Sequence, residues 1–345
     1  MTQPPPAPPP DFPLRAGPYA GPYAGPYPSR LPEVLPVAVV AATEADRTPI
    51  HQLLRSGGLP GLADDEAVTG FTVAREGDGT VIGCVGAWLR GGVALIRAIA
   101  VAPHVRSRGV GTALMMDLLR RLVGSGVQTV AMQAFGGQRF ASGFGFLAVP
   151  LAQLPSSVGE AWPHIADGQG GAAPMLLDVG AAALVAPASR NDMPAVLAIY
   201  NDAVAQSTAT YDYEPRTLEE QQSLFDQKMI DGYGFFVART MDGTVAGFST
   251  YGLYRTRPGW RFACEHSVYV AAPWRGRRFG LMLLPPLMRH ARKRGFHTMV
   301  GVVDADNLAS TRMHRRAGFQ VIGTMREGGY KFDRWLDVSF LQAML

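Results

Sequence analysis

Two stretches of the chain align with each other without a gap: VAPHVRSRGVGTALM at residues 101–115 and VAAPWRGRRFGLMLL at residues 270–284. Each follows an apolar, strand-like run and opens a helical pattern, TALMMDLLRRLV in the first case and LMLLPPLMRHARKRG in the second. Downstream, FASGFGF ending at Phe146 matches HRRAGFQV around Phe319 at nearly the same separation. This internal repetition predicts two copies of one α/β unit.

The two copies also begin alike. VVAATEADRTPIHQLL and LVAPASRNDMPAVLAIY each predict a strand, a capped turn and an amphipathic helix. The join is expected near GAAALVAPAS, so we predict domains at residues 34–180 and 181–345. Residues 1–33 are rich in proline and contain AGPY three times, which predicts a disordered arm, either an inert tail or a polyproline ligand for a partner.

Composition limits the function classes. The 345 residues are 47% hydrophobic and 17% charged, enough apolar material for two globular domains. Cys84 and Cys264 lie far apart without CxxC spacing, so we expect no disulfide framework and no metal site. With no apolar run of membrane-spanning length and no export signal, a cytoplasmic location without membrane contact is expected. The net charge is +4, but the arginines cluster near glycines, which favours an anionic small ligand over nucleic acid.

The repeated turn has the form R-x-x-G-x-G between a strand and a helix. Backbone N–H groups at the start of a helix have no partner within the helix, and the helix dipole favours an anion there. The turn is therefore predicted to be a pyrophosphate cradle, the alternative being a strand-to-helix turn without a ligand. A dinucleotide fingerprint is disfavoured because no acidic residue follows about twenty positions on.

The pattern V-x-P-x-x-R-x-x-G-x-G-x-A-L at residues 101–114 resembles the acetyl-CoA-binding motif of the GNAT acetyltransferases. The second half goes further, because AIYNDAVAQSTATY, STYGLYR, EHSVYVAAPWRGR, DADNLASTRMHRRAGF and YKFDRWLDVSFLQ resemble phosphinothricin and methionine sulfoximine N-acetyltransferases. Through LIRAIAVAP and FGFLAVPLAQLPSSV, the first half resembles the short acetyltransferases of arsenic-resistance settings.

The resemblance implies an α/β (α+β) fold of two tandem GNAT domains, each a mixed central sheet flanked by helices. It also implies acetyl-CoA as cofactor and transfer of acetyl to the α-amino group of a small amino acid or toxic analogue, of the phosphinothricin, methionine sulfoximine or arsinothricin type. A homodimer or an intramolecular pairing of the two domains is expected. The alternative is a CoA-binding tandem module without catalysis.

Two residues are the catalytic candidates that the resemblance implies. An ammonium group cannot attack a thioester until it loses a proton, and Glu265 is the candidate base, with a surface-facing strand glutamate as the alternative. In EHSVYV the alternation places Glu265, Ser267 and Tyr269 on one face, with His266 on the other as a core histidine. His314 stands where many GNAT enzymes have a tyrosine, and it is either a proton donor to the CoA thiolate or a histidine that packs near CoA.

The binding candidates fall into two sets. Arg255 and Arg261 match positions at the substrate mouth of the resembled family, with solvated loop arginines as the alternative. Trp260 replaces the tyrosine usual in that family and is expected to form a wall of the substrate site. Asn307 and Ser310 match polar residues on the cofactor side, with helix capping as the alternative. The full set of cofactor candidates is Val101, Arg106, Gly109, Gly111 and Thr112 in the first domain, and Val268, Tyr269, Val270, Arg275, Gly276, Arg277, Arg278, Phe279, Gly280, Asn307 and Ser310 in the second.

Each half also lacks something that the other has. Arg278 replaces the first glycine of the turn, where a side chain costs about 1 kcal/mol if the backbone needs a positive φ, unless its guanidinium offsets the loss beside the phosphates. Pro285 and Pro286 follow two turns into the helix and are expected to bend it. In the first half the glycines are intact, but Ile96 stands where the second half has Glu265.

Overall fold

The computed structural model describes residues 37–166 and 172–345, so the predicted disordered arm, residues 1–33, lies outside the described residues. The described elements form two consecutive units. The first unit contains β1 (Ala38–Ala41), α1 (Arg47–Ser56), β2 (Phe71–Arg75), β3 (Val81–Arg90), β4 (Val93–Val101), α2 (Val110–Leu122), β5 (Thr129–Gln133), α3 (Gln138–Ser142), β6 (Leu147–Ala148), α4 (Ser156–Ala161), α5 (Pro163–Ala166) and β7 (Pro174–Asp178). The second contains β8 (Ala183–Pro187), α6 (Met193–Gln206), α7 (Leu218–Ile230), β9 (Phe235–Thr240), β10 (Val245–Leu253), β11 (Ala263–Val270), α8 (Phe279–Lys293), β12 (Thr298–Asp304), α9 (Leu308–Arg316), β13 (Gln320–Lys331) and β14 (Arg334–Met344).

The two units have the same strand order. Each builds a seven-stranded sheet, ordered β1-β2-β3-β4-β5-β7-β6 in the first and β8-β9-β10-β11-β12-β14-β13 in the second. The pairs β4–β5 and β11–β12 are parallel, whereas the other strand pairs are antiparallel, so both sheets are mixed. The predicted fold class of two tandem mixed-sheet domains is confirmed.

The repetition extends to individual side chains near the start of each unit. Asp46 closes a capping box before α1, is buried, and forms an ion pair with Arg75 of β2 at 2.6 Å. Asp192 does the same before α6, where its partner is Arg239 of β9. The cap fixes where each helix begins, and the ion pair ties that helix to the sheet.

In the second unit, the helices cover both faces of the sheet. The apolar residues of α6 pack with Phe248 and Tyr269 on one face, whereas Phe279 and Leu283 of α8 pack with Val268 and other residues of the opposite face. Successive residues of a strand point to opposite faces, so β11 presents alternate side chains to α6 and to α8. The site described below depends on this alternation.

Pro285 and Pro286 lie inside α8, which continues through them from Phe279 to Lys293. Each proline removes a backbone donor that a helix normally uses. Next to this position, the Ser249 hydroxyl donates to the Leu283 carbonyl at 3.2 Å. Burial of Leu283, Leu284 and Leu287 against the sheet holds the helix in place despite the lost donors.

The two units touch along β8, the edge strand of the second sheet. The backbone N–H of Val185 donates to the Gly143 carbonyl at 3.2 Å, and Arg120 of α2 donates to the Met241 carbonyl at 3.2 Å. Arg277, in the second R-x-x-G-x-G turn, donates to the Gly180 carbonyl at 3.3 Å. The junction therefore reaches the turn where a cofactor site is predicted.

Candidate active site

The parallel strands of each sheet separate at one point. In the second sheet the pairing of β11 with β12 ends at Glu265 and Val300, and in the first the pairing of β4 with β5 ends at Ile96 and Met132. Among the described strands, none pairs with the β12-facing edge of β11 beyond Glu265. Such an edge presents backbone groups that must find partners elsewhere.

Two adjoining cavities open where β11 and β12 separate. One of about 370 Å³ contains Glu265 and His314, and one of about 510 Å³ lies along the second R-x-x-G-x-G turn. The residues that line both are Ala209, Val268, Tyr269, Asn307 and Ser310. A reaction between molecules held in the two cavities would take place at this shared wall.

The structure brings most of the predicted cofactor residues of the second domain to the larger cavity. Arg277 does not line it and instead donates to Gly180 and lies 5.2 Å from the Trp274 ring centroid. The residues that line the larger cavity are Val268, Tyr269, Val270, Arg275, Gly276, Arg278, Phe279, Gly280, Asn307 and Ser310.

Glu265 lies in β11 at the point of strand separation and lines the smaller cavity. Burial raises the pKa of its carboxyl, and the positive charge of Arg255 opposes that rise. A carboxylate with a raised pKa is a stronger base than an exposed one. Glu265 can therefore accept a proton from a group bound in this cavity.

His266 and His314 form a buried pair beside Glu265. Their Nε2 atoms are 3.2 Å apart and their rings are stacked, while His314 Nδ1 lies 2.8 Å from the Ser310 carbonyl oxygen. Because a carbonyl only accepts, we assign the hydrogen of His314 to Nδ1, so that its Nε2 accepts from His266.

This arrangement constrains the predicted role of His314. Burial lowers the pKa of both rings, that of His266 to about 3, so both are neutral at pH 7. The remaining nitrogen, His266 Nδ1, has no hydrogen-bond partner among the described residues. His314 has no proton directed at the cavity from Nε2, so proton donation to a thiolate requires these hydrogen bonds to rearrange.

The first arginine of each turn holds the turn to the preceding strand. Arg275 Nε donates to the Val270 carbonyl at 3.1 Å, and Arg106 Nε donates to the Val101 carbonyl at 3.1 Å. Arg275 also forms an ion pair with Asp202 of α6 at 3.1 Å. Both arginines thus shape the turn, whatever they also contribute to an anion.

Each turn contains two residues with positive φ, and the glycine occupies a different one in each copy. The first turn has Ser107 at 63° and Gly109 at 85°, and the second has Gly276 at 78° and Arg278 at 69°. The positive φ that would make a side chain at Arg278 costly is therefore present, and a non-glycine residue there costs about 1 kcal/mol. Ser107 carries the same kind of cost in the first turn.

The geometry of the second turn fits a bound pyrophosphate. A Cβ on Gly276 would meet nothing within 4 Å, so space lies in front of this backbone. A Cβ on Gly280 would lie 2.3 Å from Met313 Sδ, so any side chain there requires the Met313 side chain to move. The N-terminus of α8 is thereby held open toward the larger cavity.

The predicted substrate residues lie in the exposed loop between β10 and β11. Arg255 stacks on Tyr254 and Trp260, at 5.1 Å and 5.9 Å from the ring centroids, and Arg261 lies 4.5 Å from the Phe262 centroid. The described residues that line the smaller cavity do not include Arg255, Trp260 or Arg261. Arg255 is nevertheless close enough for its charge to act on Glu265.

Asn307 and Ser310 do what the capping alternative describes, and they also line both cavities. The Asn307 side-chain oxygen accepts from the Ser310 backbone N–H at 3.0 Å at the start of α9. The cap orients the first turn of α9, which carries His314 one turn further on.

Sequence reasoning missed two cations that line the smaller cavity, Lys228 and Arg216. Lys228 of α7 donates to the Tyr251 carbonyl at 2.9 Å, and Arg216 stacks on Tyr200 at 3.8 Å and donates to its hydroxyl at 2.8 Å. One signal was available in the composition, because the chain has only three lysines and twenty-nine arginines. Because lysine is so rare in this chain, the position of each lysine could have been singled out as a candidate site residue.

The first domain lacks the acid–base groups of the second. Ile96 and Ala141, at the positions that match Glu265 and His314, are both buried and apolar. Arg97, beside Ile96, forms an ion pair with Glu66 at 3.1 Å and donates to two backbone carbonyls. The Arg106, Gly109, Gly111 and Thr112 positions remain at the start of α2, next to Val101 at the end of β4.

A family model described as "Acetyltransferase (GNAT) family" matches residues 41–146 and 197–319, which together make up more than half of the chain. The chain belongs to the GNAT acetyltransferase family. The two matches fall on the two units of the fold, so the predicted tandem GNAT architecture, the acetyltransferase class and its acetyl-CoA cofactor are confirmed.

Relatives of one-domain length are similar to part of this GNAT chain. An L-methionine sulfoximine/L-methionine sulfone acetyltransferase of Pseudomonas paraeruginosa is 44% identical over 154 residues, which are 45% of this chain and 90% of that protein. A phosphinothricin N-acetyltransferase of Streptomyces viridochromogenes is 32% identical over 158 residues, 46% of this chain and 85% of that protein. A solved phosphinothricin acetyltransferase of Sinorhizobium meliloti in complex with AcCoA is 32% identical, with a TM-score of 0.46, over 47% of this chain and 88% of that one.

Within the described residues, the chain contains neither a membrane-spanning helix nor a cluster of metal ligands. No helix within 37–166 and 172–345 is long and apolar enough to cross a membrane. In the same ranges, no group of three or more histidine, cysteine, aspartate or glutamate side chains is arranged to hold a metal ion.

Proposed function

We propose that the second domain transfers the acetyl group of acetyl-CoA to the α-amino group of an amino acid with an oxygen-bearing side-chain head, of the methionine sulfoximine, methionine sulfone or phosphinothricin type. One observation carries the proposal. Glu265 lies in a cavity that shares a wall with the cavity along the α8 turn, so an amine beside Glu265 would face a thioester held by that turn. The names of the relatives support the acceptor class.

Acetyl-CoA supplies an activated acetyl group, and the residues of this chain position it and manage protons. The start of α8, with Gly276, Arg278 and Gly280, would hold the pyrophosphate. Glu265 would take a proton from the acceptor ammonium, so that the nitrogen can attack. Backbone N–H groups of β11 beyond Glu265, where β12 has separated, would stabilise the negative oxygen that develops.

Arg255 is the cation proposed to bind the acceptor carboxylate. In an α-amino acid the carboxylate and the amino group share one carbon, so a carboxylate partner must lie near the base. Arg255 satisfies this requirement because its charge acts on Glu265. Stacking on Tyr254 and Trp260 restricts its guanidinium, and Arg261 would add charge at the same mouth.

For the first domain we propose acetyl-CoA binding without turnover. The turn residues Arg106, Gly109 and Gly111 are present, but buried Ile96 and Ala141 offer no group that can move a proton. The resemblance to arsenic-resistance acetyltransferases remains a prediction, as do the domain limits 34–180 and 181–345, a homodimer and a cytoplasmic location.

Thiol release from acetyl-CoA tests this function. We expect the full chain to release thiol with methionine sulfoximine, methionine sulfone or phosphinothricin, and mass spectrometry to find acetyl on the α-nitrogen. Binding of acetyl-CoA without thiol release for any of these acceptors would instead support the non-catalytic module. If Glu265→Gln leaves the rate of thiol release unchanged, the acetyl transfer does not depend on this site.

A further inference from the structure

Lys228 approaches the smaller cavity from α7, on the face of the sheet that carries Glu265. Its Nζ lies 3.5 Å from the position that a Cβ on Gly252 would take. Gly252 of β10 is directly opposite Glu265 of β11 in the strand register, and residues directly opposite each other project to the same face. The absence of a side chain at Gly252 leaves room for the ammonium group.

Among the described residues, no carboxylate lies within ion-pair distance of Lys228, and the Asp231 carboxylate acts on its charge from farther away. Within the described residues it forms no ion pair, and its hydrogen bond is to a neutral group, the Tyr251 carbonyl, at 2.9 Å. Of the other charged groups on the cavity wall, Arg216, Asp212 and Asp304 are already engaged, whereas Glu265 is the proposed base. Arg216 pairs with Asp212 at 3.2 Å, and Asp304 accepts from Thr208 and from the Asp306 backbone N–H.

An unpaired cation withdrawn from water is costly unless a ligand completes its interactions. Burial, and then the nearby positive charge of Arg216, lower the pKa of Lys228 to about 8. The ammonium form still predominates at pH 7. Two like charges kept together on one cavity wall are stabilised when an oxygen with negative charge binds between them.

The side-chain head of the acceptor is the group that reaches Lys228. The acceptor amine and carboxylate belong together near Glu265, and the cation whose charge acts on Glu265 among the described residues is Arg255. The head lies further along the side chain and must occupy another part of the cavity. The α7 wall offers it the Lys228 ammonium, which donates to the Tyr251 carbonyl and lies 5.7 Å from the Tyr233 ring centroid. Because an ammonium has three N–H donors, it can also donate to a ligand.

We propose that Lys228 is a specificity residue whose ammonium group binds an oxygen of the acceptor's side-chain head. The inference rests on the function proposed above. It predicts that acceptors with a phosphinate, sulfone or sulfoximine head are preferred over methionine, which has the same backbone groups but no oxygen on its side chain.

The test compares acceptors in Lys228→Gln, which keeps a hydrogen-bond donor near the Tyr251 carbonyl but removes the charge. We expect kcat/KM for phosphinothricin to fall by about 10- to 100-fold, as for loss of a hydrogen bond to a charged group. The value for methionine, measured as a slow substrate or as the Ki of a competitive inhibitor, is expected to change less than about threefold. Lys228→Arg should recover part of the loss, and Lys293→Gln, an exposed lysine on α8, should have no effect.

The outcomes separate the two proposals. A parent chain that acetylates none of the acceptors refutes the proposed function, whatever Lys228 does. A parent chain that is active, with Lys228→Gln lowering phosphinothricin and methionine equally, refutes the specificity role and leaves the function intact. The same holds if Lys228→Gln changes neither acceptor. Unchanged acetyl-CoA affinity and melting temperature exclude a folding defect in the variant.

Discussion

Arg275 donates its Nε–H to the Val270 carbonyl at 3.1 Å, which fixes the turn after β11 to the end of that strand. Arg106 makes the same hydrogen bond to Val101 over the same distance in the first domain. The arginine of the R-x-x-G-x-G pattern is therefore a structural part of both turns. Its planar guanidinium allows one nitrogen to hold the backbone while the others remain available to an anion or a carboxylate.

From this we predict that Arg275→Lys weakens acetyl-CoA binding about 2- to 10-fold although the charge is kept, because lysine cannot hold the Val270 carbonyl and the ligand together. Calorimetry on the full chain measures the effect. Arg106→Lys is the matched control, because it should leave the turnover of the second domain unchanged. A lysine variant that binds as tightly as the parent would show that charge alone is needed.

Arg278 is expected to destabilise the turn through its left-handed backbone and to strengthen phosphate binding through its charge. Arg278→Gly should raise the stability of the second domain by about 1 kcal/mol, because glycine adopts φ of 69° without strain, whereas Arg278→Ala keeps the strain. If the guanidinium contacts phosphate, Arg278→Ala weakens acetyl-CoA binding, and the parent's affinity falls more steeply with salt than that of the variant.

Melting curves measure the change in stability, and calorimetry at low and high salt measures acetyl-CoA affinity. Ser107→Gly is the matched control, because it removes the same backbone strain in the first turn. Arg278→Gly is expected to bind acetyl-CoA better than Arg278→Ala. An alanine variant as tight as the parent at both salt concentrations rules out a phosphate role for Arg278.

Glu265→Gln is expected to lower kcat by about 10²- to 10⁴-fold with little change in acetyl-CoA affinity, because a base acts on the amine and not on the cofactor. As pH decreases, the parent's kcat should fall because Glu265 becomes protonated. Since burial raises the Glu265 pKa, the midpoint of this fall should lie above the ordinary glutamate pKa of about 4.3. Steady-state kinetics across pH measure this limb. Glu219→Gln, an exposed change on α7, should retain the parent profile, and the same acid limb in Glu265→Gln would dismiss Glu265 as the base.

His266 is expected to make the second domain sensitive to acid. Its pKa is about 3 in the folded chain and about 6.5 when unfolded, so the unfolded state binds a proton first as pH falls below about 6.5. The contribution of His266 to the free energy of unfolding is therefore fully present above pH 6.5 and decreases toward pH 3. Between pH 7.5 and pH 5 it decreases by about 2 kcal/mol.

Urea unfolding of the parent and of His266→Gln at these two pH values measures the difference. The variant should lose about 2 kcal/mol less than the parent over this range, whereas His297→Gln, an exposed histidine, should behave like the parent. Equal losses in the parent and in His266→Gln would contradict a neutral buried His266.

Two molecules of acetyl-CoA are expected to bind per chain, because both domains keep the strand, turn and helix that form a cradle. Gly280→Val should reduce the number to one, since a Cβ there would lie 2.3 Å from Met313 Sδ, and the valine together with the displaced Met313 side chain would occupy the larger cavity, which both residues line. Calorimetry counts the sites. A single site in the parent, lost in Gly280→Val, would assign all binding to the second domain.

The local features of the site follow from sequence periodicity. The alternation in EHSVYV placed Glu265, Ser267 and Tyr269 on one face and His266 on the other, because the side-chain period of a strand is two. The alignment of Arg278 with Gly109 likewise identified a position where a side chain is costly if φ is positive, and φ there is 69°. These inferences need only neighbours within one element.

By itself the sequence determined the tandem repeat, the two turns and the face of β11 that carries Glu265, all from patterns within short segments. Only the tertiary structure decided what meets those segments. Lys228 reaches the cavity because α7 packs on the Glu265 face, His314 meets His266 because α9 packs on the other, and Arg277 leaves the cofactor cavity for Gly180 of the neighbouring domain. Periodicity fixes the direction in which a side chain points, but its partner depends on which distant element buries apolar surface against that face.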